Sequence, residues 1–324
     1  MKIKAYMILI AGAAFISSCK KEVLDEKPPT SVSITDAIKT ENDMADAVNG
    51  MYATMRSSNS FGRDIPVFGD LLTDNIYISS SNSGRYLAQN NYSFTVANTE
   101  VDDIWAQNYY TILQANRIIN APLASTPVSN QLRGEAYTAR GLAYLELVNF
   151  FARPYTTDPN AEGVPIVTSF QGPTIKPSRN KVSEVYTRII TDLDSAYLLM
   201  PATAPAGLPH PASSEYIAKY AAKAIEARAY LYKGDYTNAR DAALAVVNSG
   251  GYSLVTAANF AGYWANPAAT TNKVETIFEL ALNTATNNGT AGLDYIYNPA
   301  GYGDMLATND LYNSYSATDV RRGL

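Results

Sequence analysis

Two residue types occur once in this 324-residue chain, and each would carry distinct chemistry. His210 is the only histidine and would have to be the base of any Ser-His-Asp triad. It stands between Pro209 and Pro211, a setting that predicts an exposed loop, and no Gly-x-Ser-x-Gly elbow accompanies it. One histidine also excludes a two-histidine zinc hydrolase centre. Cys19 is the only cysteine, which excludes an intrachain disulfide and any Cys-rich zinc site. Glycoside hydrolysis needs two carboxylates held across a cleft. Acids abound here, but local sequence marks out no such pair, and no Gly-Lys-Ser/Thr phosphate loop is present. Neither an enzyme nor a cofactor or metal is expected. What the chain holds in quantity is aromatic surface, with 24 Tyr against 9 Phe and 2 Trp.

The formal net charge of −5 argues against a nucleic-acid partner, which would need a strong basic field. The N-terminus reads as a targeting segment. Lys2 and Lys4 precede an apolar run from Ala5 to Ile16, too short to span a bilayer at ~20 residues per helix and suited to the hydrophobic region of a secretory signal. The run Ile16-Ser17-Ser18-Cys19 resembles a bacterial lipobox, in which the cysteine is acylated, although Ser18 stands where Gly or Ala is commoner. The competing reading is plain signal cleavage with Cys19 left as a free thiol, a liability in an oxidising compartment. Residues 1–18 are therefore expected to be a signal peptide and residues 19–30 a lipid-anchored tether, charged and then stiffened by Pro28 and Pro29. Cleavage would remove two lysines and no acid, leaving the mature chain more acidic. With no later span, the protein is expected to be anchored to a membrane rather than threaded through it.

The elements that must position any site are mostly helical. Met44, Val48, Met51 and Met55 recur at helical spacing from Thr40 to Met55, with Thr40 and Asp43 as a capping-box start. Asp102 to Asn120 carries Ile104, Trp105, Tyr109, Ile112 and Ile119 on about one face, with Trp105 read as core. Asn130 to Phe151 is a third helix, stopped by Pro154. A fourth begins near Ser183 and ends before Pro201. Ser213 to Lys233 is Ala-rich and helix-favouring, Gly234 breaks it, and Asp235 caps the next helix to Asn248. Ala227, Tyr230, Gly234, Asp235, Tyr236, Ala239 and Ala243 are similar to the inner pattern of a tetratricopeptide unit, though any αα-hairpin needs a Gly turn and small contact residues. Most tyrosines, including Tyr52, Tyr110, Tyr144, Tyr186 and Tyr230, read as half-buried helix residues. Phe61 to Asn98, with an exposed loop at Ser79–Gly84, and residues 251–324 are loop-rich, with a short strand expected at Thr276–Leu282. The fold class is mainly α: a tetratricopeptide-like helical-repeat scaffold with loop-rich insertions and a few short strands. The loop-rich regions are where a site would be carried.

Taken in order, these runs resemble the SusD/RagB family of outer-membrane lipoproteins from Bacteroidetes. The match begins at Ser17-Ser18-Cys19 and Leu24-Asp25-Glu26-Lys27-Pro28. It continues through Ala47-Val48-Asn49-Gly50-Met51-Tyr52, Gly69 to Asn75, Trp105 to Ile119, Arg133 to Arg140 and Leu147 to Phe151. Gly163-Val164-Pro165-Ile166-Val167, Val185 to Leu193, the Ala221–Gly250 hairpin, Glu275 to Glu279, Gly303-Asp304 and Asp319 to Arg322 complete it. The resemblance implies a helical-repeat domain over 31–250 and a loop-rich C-terminal region over 251–324. Family members usually continue well past Asp319-Val320-Arg321, so an incomplete C-terminal region is expected. The resemblance also implies a non-catalytic surface lipoprotein that captures oligosaccharides and hands them to a SusC-like TonB-dependent transporter. In that picture four tetratricopeptide-like helix pairs face the transporter, and outer-membrane lipid is held through the acylated cysteine. A helical-repeat or peptide-binding scaffold without glycan specificity is the alternative.

A sugar ring has an apolar face and a rim of hydroxyls, so it suits an aromatic platform ringed by planar polar groups. Three places fit. The loop after Asp74 and Asn75, with Tyr77, Arg85, Tyr86 and Asn90, corresponds to a family region that contributes binding groups. The late loop holds Tyr295, Tyr297, Asn298 and Tyr302. Trp264 lies beside Tyr263 and Asn266. Asp70 and Asp74 have the competing role of turn caps.

Overall fold

A computed structural model describes residues 37–170, 172, 174–266 and 274–323. The expected signal peptide, tether and Cys19 lie outside them. The first helix, α1 (Glu41–Met55), starts as its sequence dictates. The Thr40 hydroxyl accepts from the Asp43 N–H at 3.1 Å and the Asp43 carboxylate accepts from the Thr40 N–H at 2.8 Å. There follow α2 (Asp64–Leu71), the strand β1 (Ile76–Ile78), the short α3 (Leu87–Asn90) and the long α4 (Thr99–Ile119) and α5 (Pro127–Phe151). Both long helices begin a turn before the apolar pattern suggested, because Asn98 and Thr126 supply side-chain caps and Pro127 occupies the first turn.

Helices α6 (Val182–Leu199), α7 (Lys219–Lys233) and α8 (Tyr236–Ser249) continue the array, each packed on its chain neighbour. This is the helical-repeat architecture expected. Close approach of α5 and α6 depends on Gly134, where a Cβ would sit 2.3 Å from Met200 Cγ. The α7–α8 turn places Gly234 at φ 78°, and the Asp235 side chain then caps α8 at the Asn238 N–H. α7 begins only at Lys219, not at Ser213: Ile217 donates its N–H to the Tyr52 hydroxyl at 2.8 Å, which diverts the backbone from helix.

Buried charge ties the array together. Arg140 on α5 grips Asp192 on α6 with two bonds of 2.8 and 2.7 Å, and its Nη1 donates to Asn116 Oδ1 on α4 at 2.7 Å. Asp192 is fully buried, and Arg188 adds a second guanidinium at 2.7 Å. Trp105 packs on this core as expected, edge-on to Phe151 at 5.0 Å. Tyr52, Tyr144 and Tyr186 go further than expected and are buried, whereas Tyr110 faces outward and is 49% exposed.

The remaining elements are short: α9 (Phe260–Trp264), α10 (Leu293–Tyr297), β2 (Met305–Ala307) and α11 (Asn309–Ser314). Residues 276–282 form no strand. Ile277, Phe278 and Leu280 lie against the helical core, and the Glu279 N–H donates to Ser214 O at 2.8 Å, a residue outside any strand, so among the described residues no ladder forms. A strand forms elsewhere: β1 pairs antiparallel with β2, in the register Ile76 to Ala307, Tyr77 to Leu306 and Ile78 to Met305. Beneath this ribbon lies a second apolar cluster of Ile65, Val67, Phe68, Leu71, Ile76, Ile104, Ile296 and Met305. His210 is likewise not in an exposed loop. It is 8% exposed and donates into the core at Glu135.

Candidate functional site

The β1–β2 pairing brings the early and the late loops to one place. At its centre the Arg85 guanidinium carbon lies 4.0 Å from the Tyr302 ring centroid. Arg85 Nη2 donates to the Tyr302 hydroxyl at 3.1 Å and Nη1 to Ser83 Oγ at 2.8 Å. Ser83 is itself held by buried Asp304, which accepts from the Ser83 N–H at 2.7 Å and from its hydroxyl. Tyr302 meets Tyr295 edge-on at 4.7 Å, and the Tyr302 N–H donates to the Tyr295 carbonyl at 2.8 Å. The result is a cation and two aromatic rings held in fixed relation by residues from both loops. Among the described residues, these contacts use two of the five guanidinium N–H donors.

Around this centre, Tyr297 donates to Asp70 at 2.7 Å, and burial together with that carboxylate pushes its phenol up, so it stays a neutral donor. Asp74, exposed, accepts from the Tyr92 hydroxyl at 3.1 Å, and Asn75 donates its side-chain amide to Thr73 at 2.8 Å. Asp70 and Asp74 thus hold tyrosine hydroxyls rather than cap turns. Tyr77 is 46% exposed on the ribbon opposite Leu306. Asn90 accepts from the Ile78 N–H at 3.1 Å and so fixes the strand.

One expected residue is buried, and Trp264 lies apart from this centre as its separate loop implied. Tyr86 is 3% exposed. Its hydroxyl donates to buried Asp64 and its ring meets Phe68 edge-on at 6.2 Å, so it is a core residue beneath the site. Trp264 is half exposed, but its ring contacts are with Phe260 and Tyr263 of its own short helix and not with Arg85 or Tyr302.

Residues that the loop composition did not single out are Ser83, Tyr92 and Asp304. The one sequence signal was the Gly303-Asp304 pair. Backbone conformation marks the same place. Among the described residues, the non-glycine positions with positive φ are Asp74 at 60°, Tyr86 at 57° and Tyr92 at 52°, all within this loop. Such conformations cost about 1 kcal/mol or more each and persist where surrounding structure imposes them, often at ligand sites. The carboxylates here do not form a hydrolytic pair. Asp304 is buried with both oxygens bonded to Ser83, and Asp70 is engaged by Tyr297.

The family model described as "Starch-binding associating with outer membrane", a SusD-like family, matches residues 22–231. The chain belongs to this family. SusD-like protein P2 of Formosa agariphila is 27% identical over 319 residues, covering 93% of this chain and 60% of the relative. A SusD superfamily protein from Bacteroides vulgatus superposes with a TM-score of 0.78 at 26% identity, covering 89% of this chain and 65% of that one. Another, from Bacteroides thetaiotaomicron, superposes with a TM-score of 0.76 at 27% identity, covering 87% and 63%. The chain therefore spans under two thirds of the length of these relatives. Members of the SusD family are binding proteins rather than catalysts.

Proposed function

We propose that this SusD-like chain binds glycan at the surface built by the two loops, and does so as a lipoprotein that serves a SusC-like TonB-dependent transporter. The observation that carries the reading is the Arg85–Tyr302–Tyr295 group. The two edge-to-face rings offer apolar surface, and the guanidinium fixed over one face of Tyr302 offers N–H donors beside it to hydroxyl oxygens. Asn75, Asp74, Tyr77 and Tyr297 are the neighbouring polar and aromatic contacts, and Trp264 a separate platform. The family's starch-binding description and its association with the outer membrane support both glycan binding and the location. Acylation at Cys19 would hold the protein there. Anchoring and docking on a partner raise the effective concentration of ligand, so a shallow site of modest affinity suffices.

The test is electrophoresis of the folded protein through native gels containing a panel of polysaccharides, starch among them. Retardation by one polymer, lost in the Arg85→Ala and Tyr302→Ala variants, is the expected result. Migration unchanged by every polymer, from protein with a native circular dichroism spectrum, would reject glycan capture and favour a peptide-binding scaffold.

A further inference from the structure

The connection between α6 and α7, residues 200–218, lies over the helical core and is fastened at two points to one buried carboxylate. Glu135 on α5 is 0% exposed. Its Oε1 accepts from His210 Nε2 at 3.0 Å and from Gln131 Nε2 at 2.9 Å, and its Oε2 accepts from the Tyr52 hydroxyl at 2.7 Å. Tyr52 in turn accepts the Ile217 N–H at 2.8 Å, while Gln131 donates to the Ile217 carbonyl at 3.0 Å. His210 and Ile217 are thus both tied to the same carboxylate cluster.

The second ring nitrogen of His210 decides the chemistry. Nδ1 lies 3.1 Å from the Pro211 carbonyl oxygen, so both ring nitrogens face acceptors. A neutral imidazole has one N–H and one lone pair. In either tautomer a lone pair would point at an oxygen, and only the imidazolium satisfies both contacts. The ring also stacks on Tyr216 at 3.9 Å, with the planes 8° apart, an arrangement that favours a cation over an aromatic face.

We infer that His210 and Glu135 form a proton-dependent latch, in which the imidazolium fastens the α6–α7 connection to the core and loss of one proton loosens it. The segment released would include Ser214, whose hydroxyl donates to Glu279 at 3.0 Å and whose carbonyl accepts the Glu279 N–H, so the packing of residues 276–280 would loosen with it. It would also open the cavity of about 340 Å³ beside His210, walled by Tyr216, Tyr220 and Tyr252.

Glu135 from α5 and Tyr216 from the connection face the ring, and Lys219 from α7 lines the cavity beside it. Further out, Tyr52 of α1 bonds Glu135, Arg56 and Glu215 act on Tyr216, and Glu279 bonds Ser214. Glu135 is the one bonded to the imidazole. Burial by itself pushes the imidazole down, but the bond and charge of Glu135 outweigh it and hold His210 above the ordinary histidine range. A raised folded-state value stabilises the protein fully below the ordinary histidine value of about 6.5 and ceases to do so as pH rises through the folded-state value. The latch is therefore closed below the ordinary histidine value and opens as pH rises through the higher folded-state value.

The chain has one histidine, so the mature protein without a histidine tag gives a single set of imidazole NMR signals. Their titration is followed alongside hydrogen exchange of the 200–218 amides, corrected for the intrinsic pH dependence of exchange. The expected result is a midpoint on the alkaline side of an ordinary histidine, with protection of these amides falling about tenfold or more through the same midpoint while the α4 and α5 amides stay protected. An imidazole that titrates at or below the ordinary value would overturn the proposal. So would exchange in residues 200–218 that ignores the midpoint. Both readouts come from the unaltered sequence, so neither depends on a variant folding.

Discussion

The guanidinium of Arg85 lies 4.0 Å over the ring of Tyr302, a residue 217 positions later in the chain. Both are oriented before any ligand arrives, Arg85 by Ser83 and Tyr302 by Tyr295. Ordering them on binding then costs little, which is how a shallow site gains affinity.

That relationship can be taken apart. Tyr302→Phe keeps the ring and removes the hydroxyl acceptor, so it should weaken glycan binding by a few-fold. Arg85→Ala should weaken it by about tenfold or more, since stacking and hydrogen bonding are lost together. Isothermal titration with the polymer identified by gel retardation reads both. Equal, full-strength binding by the two variants would move the site elsewhere.

Tyr86→Phe should behave differently, because Tyr86 is buried and its hydroxyl shares Asp64 Oδ1 with Arg63, while Asp64 Oδ2 has no hydrogen-bond partner among the described residues. Removing a donor from a buried carboxylate costs about 1–3 kcal/mol. The urea midpoint should fall while glycan affinity of the folded protein changes little. A large affinity loss with unchanged stability would instead place Tyr86 against the ligand.

Asp192→Ala should be among the more damaging core substitutions. It strands the Arg140 guanidinium, which is 3% exposed, and removes the partner of Arg188. Breaking a buried pair in this way costs about 3–5 kcal/mol. Equilibrium denaturation would measure it, and a loss below 1 kcal/mol would show that the two arginines find other acceptors.

Gly134→Ala should destabilise by about 1–3 kcal/mol through overpacking, because the added methyl would meet Met200 2.3 Å away. Pairing it with Met200→Ala makes room, so the double variant should lose less than the sum of the two single losses. Strict additivity in thermal unfolding would mean that α5 and α6 separate easily at that level.

Cys19→Ser should abolish acyl labelling and move the protein from the membrane fraction to the soluble fraction of its own cells. Retention in the membrane fraction without a labelled acyl chain would assign anchoring to another contact.

The sequence by itself determined the helical scaffold. Caps and periodicity are local, so Thr40–Asp43, Gly234-Asp235 and the apolar rows of α1, α4, α5 and α6 could be read within a few residues of where they act. Composition also pointed to the two loops of Arg85, Tyr295 and Tyr302, which the structure brings together. Three things were decided only by tertiary structure. Residues 276–282 have a strand's apolar composition but no partner strand among the described residues, whereas 76–78 find theirs at 305–307, a pairing that no local pattern encodes. Tyr86 and Tyr77 read alike in sequence, yet a left-handed backbone and the Asp64 carboxylate draw one inward and leave the other on the ribbon's surface. His210 sits between prolines that suggest exposure, yet the Glu135 carboxylate, 75 positions away, holds it in the core. In each case the deciding partner is distant in the chain, and hydrogen-bonding groups settle only where their partners are.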